Sequence, residues 1–199
     1  ITAVERIARN RRKINPRLSS RAYLAARARS KIPAKFAEDR KRRNLEGFLF
    51  PSTYEFEPQT TSRQLVNRQL QAFQDNWRQV DLAYAKSRNL TPYDVLIIAS
   101  LIEKEVIAPE ERRLVAAVIY NRLRQGMTLG IDATTRFETG NYTEQIPQSD
   151  LEADTPYNTR LRDGLPPTPI GNPRLASPRA APRRARVPYL YDVDKPGTA

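Results

Sequence analysis

The chain has no cysteine and no histidine among its 199 residues. The first absence excludes disulfides and thiolate metal sites; the second removes the commonest metal ligand and the usual general base. Acid-base chemistry must then rest on carboxylates, Tyr or Lys. No apolar run approaches the length needed to span a bilayer, and the start lacks the charged, apolar, small-residue order of a signal peptide. The chain opens on Ile1 rather than Met, which reads as a fragment of a longer protein, with room for an anchor or signal in the missing part. A hydrophobic content of 39% and a mean hydropathy of -0.66 describe a soluble, rather polar protein with one good core, or one core and a small appended module.

What is abundant is positive charge, a formal net of +12. It is unevenly spread. Residues 1–43 hold 15 Lys or Arg against 3 acids, and residues 44–199 hold 19 of each. A second basic cluster, Arg174, Arg179, Arg183, Arg184 and Arg186, leaves residues 44–173 with a net of -4. Two cationic arms flanking a mildly acidic body suit an anionic partner such as an acidic cell-wall polymer or lipid headgroups. Nucleic acid is not expected, since residues 1–43 offer only Tyr23 and Phe36 as stacking groups and no groove-reading module. A solvated helical face with a disordered junction explains the same arms without any partner.

The pattern predicts short helices at 2–9 and 18–29, then a charged connection at 32–43. Residues 45–56, broken by Gly47 and Pro51, read as extended chain with a turn. One long helix is expected from about Ser62 to Lys86, with Leu65, Leu70, Phe73, Trp77 and Val80 facing the core. Another should run from Pro109 or Glu110 to Arg124 and stop at Gly126. Beyond it, short segments rich in Gly, Pro and Thr suggest loops that wall a groove. Residues 187–193 look like a strand. The expected class is α+β.

Between the two long helices lies the segment where chemistry is expected. In residues 91–107 Thr91 suits the cap, Pro92 the first helical position and Asp94 the positive end of the dipole. Two acids, Glu103 and Glu105, sit near the other end of this strongly apolar helix. At 100° per residue Glu103 falls between Leu96 and Ala99, and Glu105 between Ile98 and Leu101, so neither has an obviously solvated face. A desolvated carboxyl tends to hold its proton and can act as a general acid. A solvated last turn, with Lys104 pairing either acid, is the bland alternative, and helical geometry does not separate the two.

The ordered motifs resemble one family closely, the MltG or YceG-like endolytic murein transglycosylases, in an actinobacterial-type version. They are Leu45-Glu46-Gly47-Phe48-Leu49-Phe50-Pro51-Ser52-Thr53-Tyr54, Ala99-Ser100-Leu101-Ile102-Glu103-Lys104-Glu105, Val118-Ile119-Tyr120-Asn121-Arg122-Leu123 and Asp132-Ala133-Thr134-Thr135-Arg136-Phe137. Then follow Thr155-Pro156-Tyr157-Asn158-Thr159, Gly164-Leu165-Pro166-Pro167, Pro169-Ile170-Gly171-Asn172-Pro173 and Tyr189-Leu190-Tyr191. The resemblance implies a membrane-anchored extracytoplasmic enzyme that cuts the MurNAc-GlcNAc bonds of peptidoglycan and leaves 1,6-anhydro-MurNAc ends. It implies a catalytic domain over 44–199, truncated at its C-terminus, with a helical core carrying the catalytic acid and a loop-rich, short-stranded groove. Residues 1–43 would be the remaining part of a LysM-like module. Glu103 is the implied catalytic acid, and Glu105 the rival. Tyr120, Asn121, Asp132, Thr134, Tyr157 and Asn158 are implied glycan-holding residues, each with a structural alternative in loop packing. Glu46 is either a cleft acid or a buried partner for an arginine such as Arg122. No metal or cofactor is implied; peptidoglycan strands, and peptidoglycan synthases, are the implied partners. The two prolines in 177–186 interrupt the helix the family has there. A non-catalytic glycan-binding module is the alternative from another class.

Overall fold

The acid-bearing helix is the axis of the fold, and its sequence explains why. The computed structural model describes residues 18–36, 39, 44–181 and 189–190. The helices are α1 (Ser20–Arg29), α2 (Ser62–Trp77), α3 (Ala83–Lys86), α4 (Pro92–Glu105), α5 (Arg112–Gln125), α6 (Asp132–Thr139), α7 (Gln148–Glu152) and α8 (Ala176–Ala180), with 3-10 turns at Ala34–Phe36 and Pro109–Glu111. In α4 every residue from Tyr93 to Ile102 is buried. A helix apolar all round has to be enclosed on all sides, and α5, α6 and α8 pack against it. Its start is fixed by a capping box: the Asp94 amide donates to Thr91 Oγ1 at 3.1 Å, and the Thr91 amide donates to Asp94 Oδ2 at 2.9 Å.

A second layer forms around aromatic rings. Phe48, from the turn at 45–49, meets Phe36 edge-on at 4.9 Å and Phe73 at 5.1 Å, and stacks on Tyr93 at 6.1 Å. Phe36 also meets Trp77 at 5.3 Å. Each such pair adds about 0.5–1.5 kcal/mol beyond area burial. Residues 18–36 therefore share this core: Leu18, Tyr23, Ala26 and Phe36 are all buried in it, and the Tyr23 hydroxyl donates to Gln69 Oε1 of α2 at 2.9 Å.

Several expectations change. The single helix expected over 62–86 ends at Trp77, and the chain turns through 78–82 before α3. The turn lets Trp77 and Val80 both enter the core, and Asp81 Oδ1 accepts from the Ala83 amide to restart the helix. No strand occurs among the described residues, so the α+β class gives way there to a helix-rich architecture. The turn expected within 45–56 is present at 45–49, and it drives Phe48 inward. The region after Gly126, expected as loop, contains α6 and α7. The expected helix at 2–9 lies outside the described residues, and so does the expected strand at 187–193 apart from 189–190, which are not in a strand. No described helix is long and apolar enough to cross a membrane.

Candidate active site

Glu103 lies in the last turn of α4, where the helix runs from complete burial to the surface. Its side chain is 20% exposed, whereas Glu105 is an exposed residue. The cover over Glu103 comes from the short helix α8, which packs on α4 and α5. Glu103 Oε2 accepts from the Ser177 hydroxyl at 2.6 Å and from the Arg174 amide at 3.3 Å. The Arg174 guanidinium stands 3.9 Å from Oε1. Ser177 is itself fully buried and receives Arg112 Nε from the first turn of α5 at 3.4 Å.

The second acid, Glu46, is buried at 6% exposure. Its Oε1 accepts from Asn172 Nδ2 at 3.2 Å, and Arg27 of α1 stands 3.9 Å from Oε2. Arg27 is thus one arginine beside it, and Arg122 donates to the carbonyls of Leu129 and Leu190. Asn172 turns its other end to the chain, accepting from the Leu49 amide at 2.9 Å. Two residues earlier the Ile170 amide donates to Ser100 Oγ of α4 at 3.0 Å. The strip 169–174 is therefore stitched to α4 at Ser100 and Glu103, and to the 45–49 turn at Glu46 and Leu49.

The loop after α6 reaches the end of α4. Lys104 Nζ sits 5.6 Å above the ring of Tyr142, an exposed aromatic at 48%. Partial burial, and secondarily the negative charge of Glu46, raise the Tyr142 phenol above 10.0. A groove of about 710 Å³ flanks the other side of α8, lined by Arg112, Arg113, Glu110, Gln79 and Arg179 among others. Glu103 does not line it; the link between them is Arg112, which faces the groove and donates to the serine that holds Glu103.

The six residues expected to hold glycan divide by burial. Asn121 is buried and donates to the Tyr189 carbonyl at 2.9 Å; Asn158 is buried and donates to the carbonyls of Leu151 and Ala153. Thr134 is buried, donating to the Ile131 carbonyl and meeting Thr159 Oγ1 at 3.1 Å. Tyr120 is a core residue whose ring meets Tyr84 edge-on at 5.2 Å. These four are buried, and Tyr120 and Asn121 also line a cavity of about 440 Å³. Asp132 is exposed and ion-paired with Arg160, and Tyr157 is half-buried with its hydroxyl 2.7 Å from Thr168 Oγ1. Sequence reasoning missed Ser177, Arg174, Asn172 and Arg112. Asn172 has a signal in the motif 169–173, whereas Ser177 lies in a proline-interrupted stretch where no spacing marks its hydroxyl.

Comparison with known proteins identifies the family of the chain. The model of the YceG-like family matches residues 2–199. A Bacillus subtilis (strain 168) protein named endolytic murein transglycosylase is 34% identical over 151 residues, covering 76% of this chain and 42% of that protein. A Streptococcus pneumoniae (strain R6) protein of the same name is 36% identical over 169 residues, covering 81% of this chain and 30% of that protein. The crystal structure of a putative yceG-like protein from Listeria monocytogenes superposes with a TM-score of 0.77 at 27% identity, covering 96% of this chain and 67% of that one. The chain thus spans less than half the length of these curated relatives.

Proposed function

This chain belongs to the YceG-like family, and from that premise we propose that it is the catalytic part of an endolytic peptidoglycan transglycosylase in which Glu103 is the acid and then the base. The observation that carries the reading is a single carboxyl, at the end of the buried central helix α4, one-fifth exposed and gripped by Ser177 and Arg174. Hydrolysis of a glycosidic bond ordinarily uses two carboxyls, one to protonate the leaving oxygen and one to attack or to activate water. Glu46 is the other acid tied to the same strip, and it is committed to Asn172. One acid suffices if the sugar supplies its own nucleophile. Glu103 donates its proton to the glycosidic oxygen as the C1–O bond of the muramyl sugar breaks. The resulting carboxylate takes the proton of that sugar's C6 hydroxyl, whose oxygen bonds to C1 and closes the 1,6-anhydro ring. The acid ends as it began, and no water is consumed.

Asp132 and Tyr157 are the members of the glycan-holding set with surface to offer, and the exposed ring of Tyr142 beside Lys104 adds an apolar face of the kind on which a sugar can rest. The same proposal takes residues 1–43 as the end of a LysM-like module that docks on the catalytic domain through Tyr23 and Phe36. The substrate lies outside the cytoplasmic membrane, and so would the protein.

The test is digestion of purified peptidoglycan followed by mass spectrometry. The expected products carry anhydro-muramyl ends, with Glu103→Gln lowering their rate of appearance by at least about 10²-fold and Glu105→Gln leaving it within a small factor. Intact glycan retained on the protein would support a binding module instead, and reducing ends would support a hydrolase.

A further inference from the structure

Resting on the assignment of Glu103 as the acid, we infer that Ser177 is a positioning residue that reserves Glu103 Oε1 for the proton. The argument is one of counting donors and acceptors. A serine hydroxyl has one hydrogen to give and two lone pairs to receive with, and an arginine side chain can only donate. Arg112 Nε, at 3.4 Å from Ser177 Oγ, therefore occupies a lone pair. That leaves the single O–H of Ser177 directed to Glu103 Oε2, 2.6 Å away. The Arg174 amide, at 3.3 Å, gives the same oxygen a second donor. With two donors on it, Oε2 has its lone pairs taken and is the poorer place for a proton. Among the described residues Oε1 has only the Arg174 guanidinium at 3.9 Å, outside hydrogen-bonding range.

The consequence is a carboxyl whose two oxygens have separate jobs. Oε2 is the anchor, held against α8 by a residue that is fully buried. Oε1 gives the proton to the glycosidic oxygen and later receives the one from the C6 hydroxyl. Were the serine hydroxyl absent, the carboxyl could turn about its last bond and present either oxygen, and each turnover would need the right orientation to recur. The chain from Arg112 also gives the groove beside α8 a line to the acid: whatever engages that guanidinium disturbs the hydroxyl that fixes Oε2.

Positioning of this kind acts on the chemical step and not on substrate binding, which separates it from a structural role. The full chain is assayed on purified peptidoglycan for kcat and KM, and its retention on insoluble peptidoglycan is measured in parallel. Loss of a hydrogen bond to a charged group predicts that Ser177→Ala lowers kcat on the order of 10- to 100-fold with KM and retention unchanged. Ser177→Thr, which keeps the hydroxyl, should recover most of that loss. Should Ser177→Ala prove unfolded at the assay temperature, Arg112→Met carries the test, with a fall in kcat of at least about threefold, since it frees the hydroxyl to rotate away. A folded Ser177→Ala, or in its stead Arg112→Met, with parental kcat overturns the inference. So does a fall that appears in KM alone. The control Glu103→Gln keeps the two readings apart: if it turns over like the parent the acid itself is misassigned, whereas an inactive Glu103→Gln beside a fully active Ser177→Ala removes only the role of the serine.

Discussion

Replacing Gly47 by alanine should be among the most damaging single-methyl additions in this chain. Gly47 sits at φ +91°, a region that L side chains rarely adopt, which predicts a backbone cost of about 1–3 kcal/mol. A Cβ there would stand 2.7 Å from Pro169 Cγ, 2.8 Å from Pro169 Cβ and 3.1 Å from Leu96 Cδ2. Neither neighbour is a flexible tip: Pro169 is a ring in a buried strip, and Leu96 is fully buried in α4. Overpacking of this kind costs about 1–3 kcal/mol more. The sum, roughly 2–6 kcal/mol, is a large share of the 5–15 kcal/mol that holds a typical domain together. Two other glycines separate the contributions. Gly126, at φ +63°, has nothing within 4 Å of its Cβ position, so Gly126→Ala reports the backbone cost alone, about 1–2 kcal/mol. Gly171 has no positive φ to defend, and its Cβ would meet Lys104 Cε at 2.9 Å, the far end of an exposed side chain that can swing away. Gly171→Ala should therefore cost less than about 1 kcal/mol. Urea unfolding of the three variants gives the order Gly47 > Gly126 > Gly171 as falls in midpoint at constant slope. A Gly47→Ala variant no less stable than Gly126→Ala would refute the claim that the close approach of 47 to 169 is a rigid part of the fold.

Other outcomes follow from the same contacts. Phe48→Ala, which empties the centre of the aromatic cluster, should cost about 3–5 kcal/mol by thermal or urea unfolding. Thr91→Ala removes the hydroxyl that accepts from the Asp94 amide and donates to Asp39 Oδ2 at 2.6 Å, for a loss of about 0.5–2 kcal/mol in the same measurement. Burial pushes the Tyr54 phenol from 10.0 up to about 12, so its share of stability is whole below pH 10 and is lost as pH rises through about 12; melting temperatures of Tyr54→Phe should fall less steeply than the parent's across that window. Glu46→Gln keeps an oxygen for Asn172 to donate to, so turnover should persist with anhydro products, whereas loss of activity on the scale of Glu103→Gln would make Glu46 a second catalytic carboxyl.

The parts of the fold that were legible in the sequence are those fixed locally. The α4 start was readable because Thr91, Pro92 and Asp94 meet the needs of a helix N-terminus without help from the rest of the chain. The end of α5 was readable because Gly126 supplies the left-handed residue that closes it. The break between α2 and α3 was not, since no Gly or Pro marks it; it exists because Trp77 and Val80 are both wanted in the core, a demand that only the packed molecule makes. The turn within 45–56 was readable from Gly47 and Pro51, but not its use, since Phe48 answers to Phe36, Phe73 and Tyr93, which are distant in sequence. At the site, helical angles alone left Glu103 and Glu105 equivalent. What distinguishes their surroundings is α8, more than seventy residues downstream in sequence, and such a contact leaves no trace in spacing.

The strip 169–174 explains why an acid near a helix end can be a device rather than a solvated last turn. A surface glutamate ordinarily samples many rotamers, and fixing one costs side-chain entropy of up to about 2 kcal/mol. Here that cost is offset by neighbours already bonded to the core. Ser100 of α4 receives the Ile170 amide, Asn172 joins Glu46 to the Leu49 amide, and Pro169 abuts Gly47 where no larger residue fits. By the time the strip reaches Arg174, its amide direction has been set by four contacts upstream, and the helix it leads into delivers Ser177 to the same carboxyl. Order flows from the core outward to one exposed oxygen. It follows that changes at Gly47, Ser100 or Asn172, none of which needs to touch substrate, should act on turnover through the orientation of Glu103, and that their effects should be non-additive with Ser177→Ala because all converge on one carboxyl.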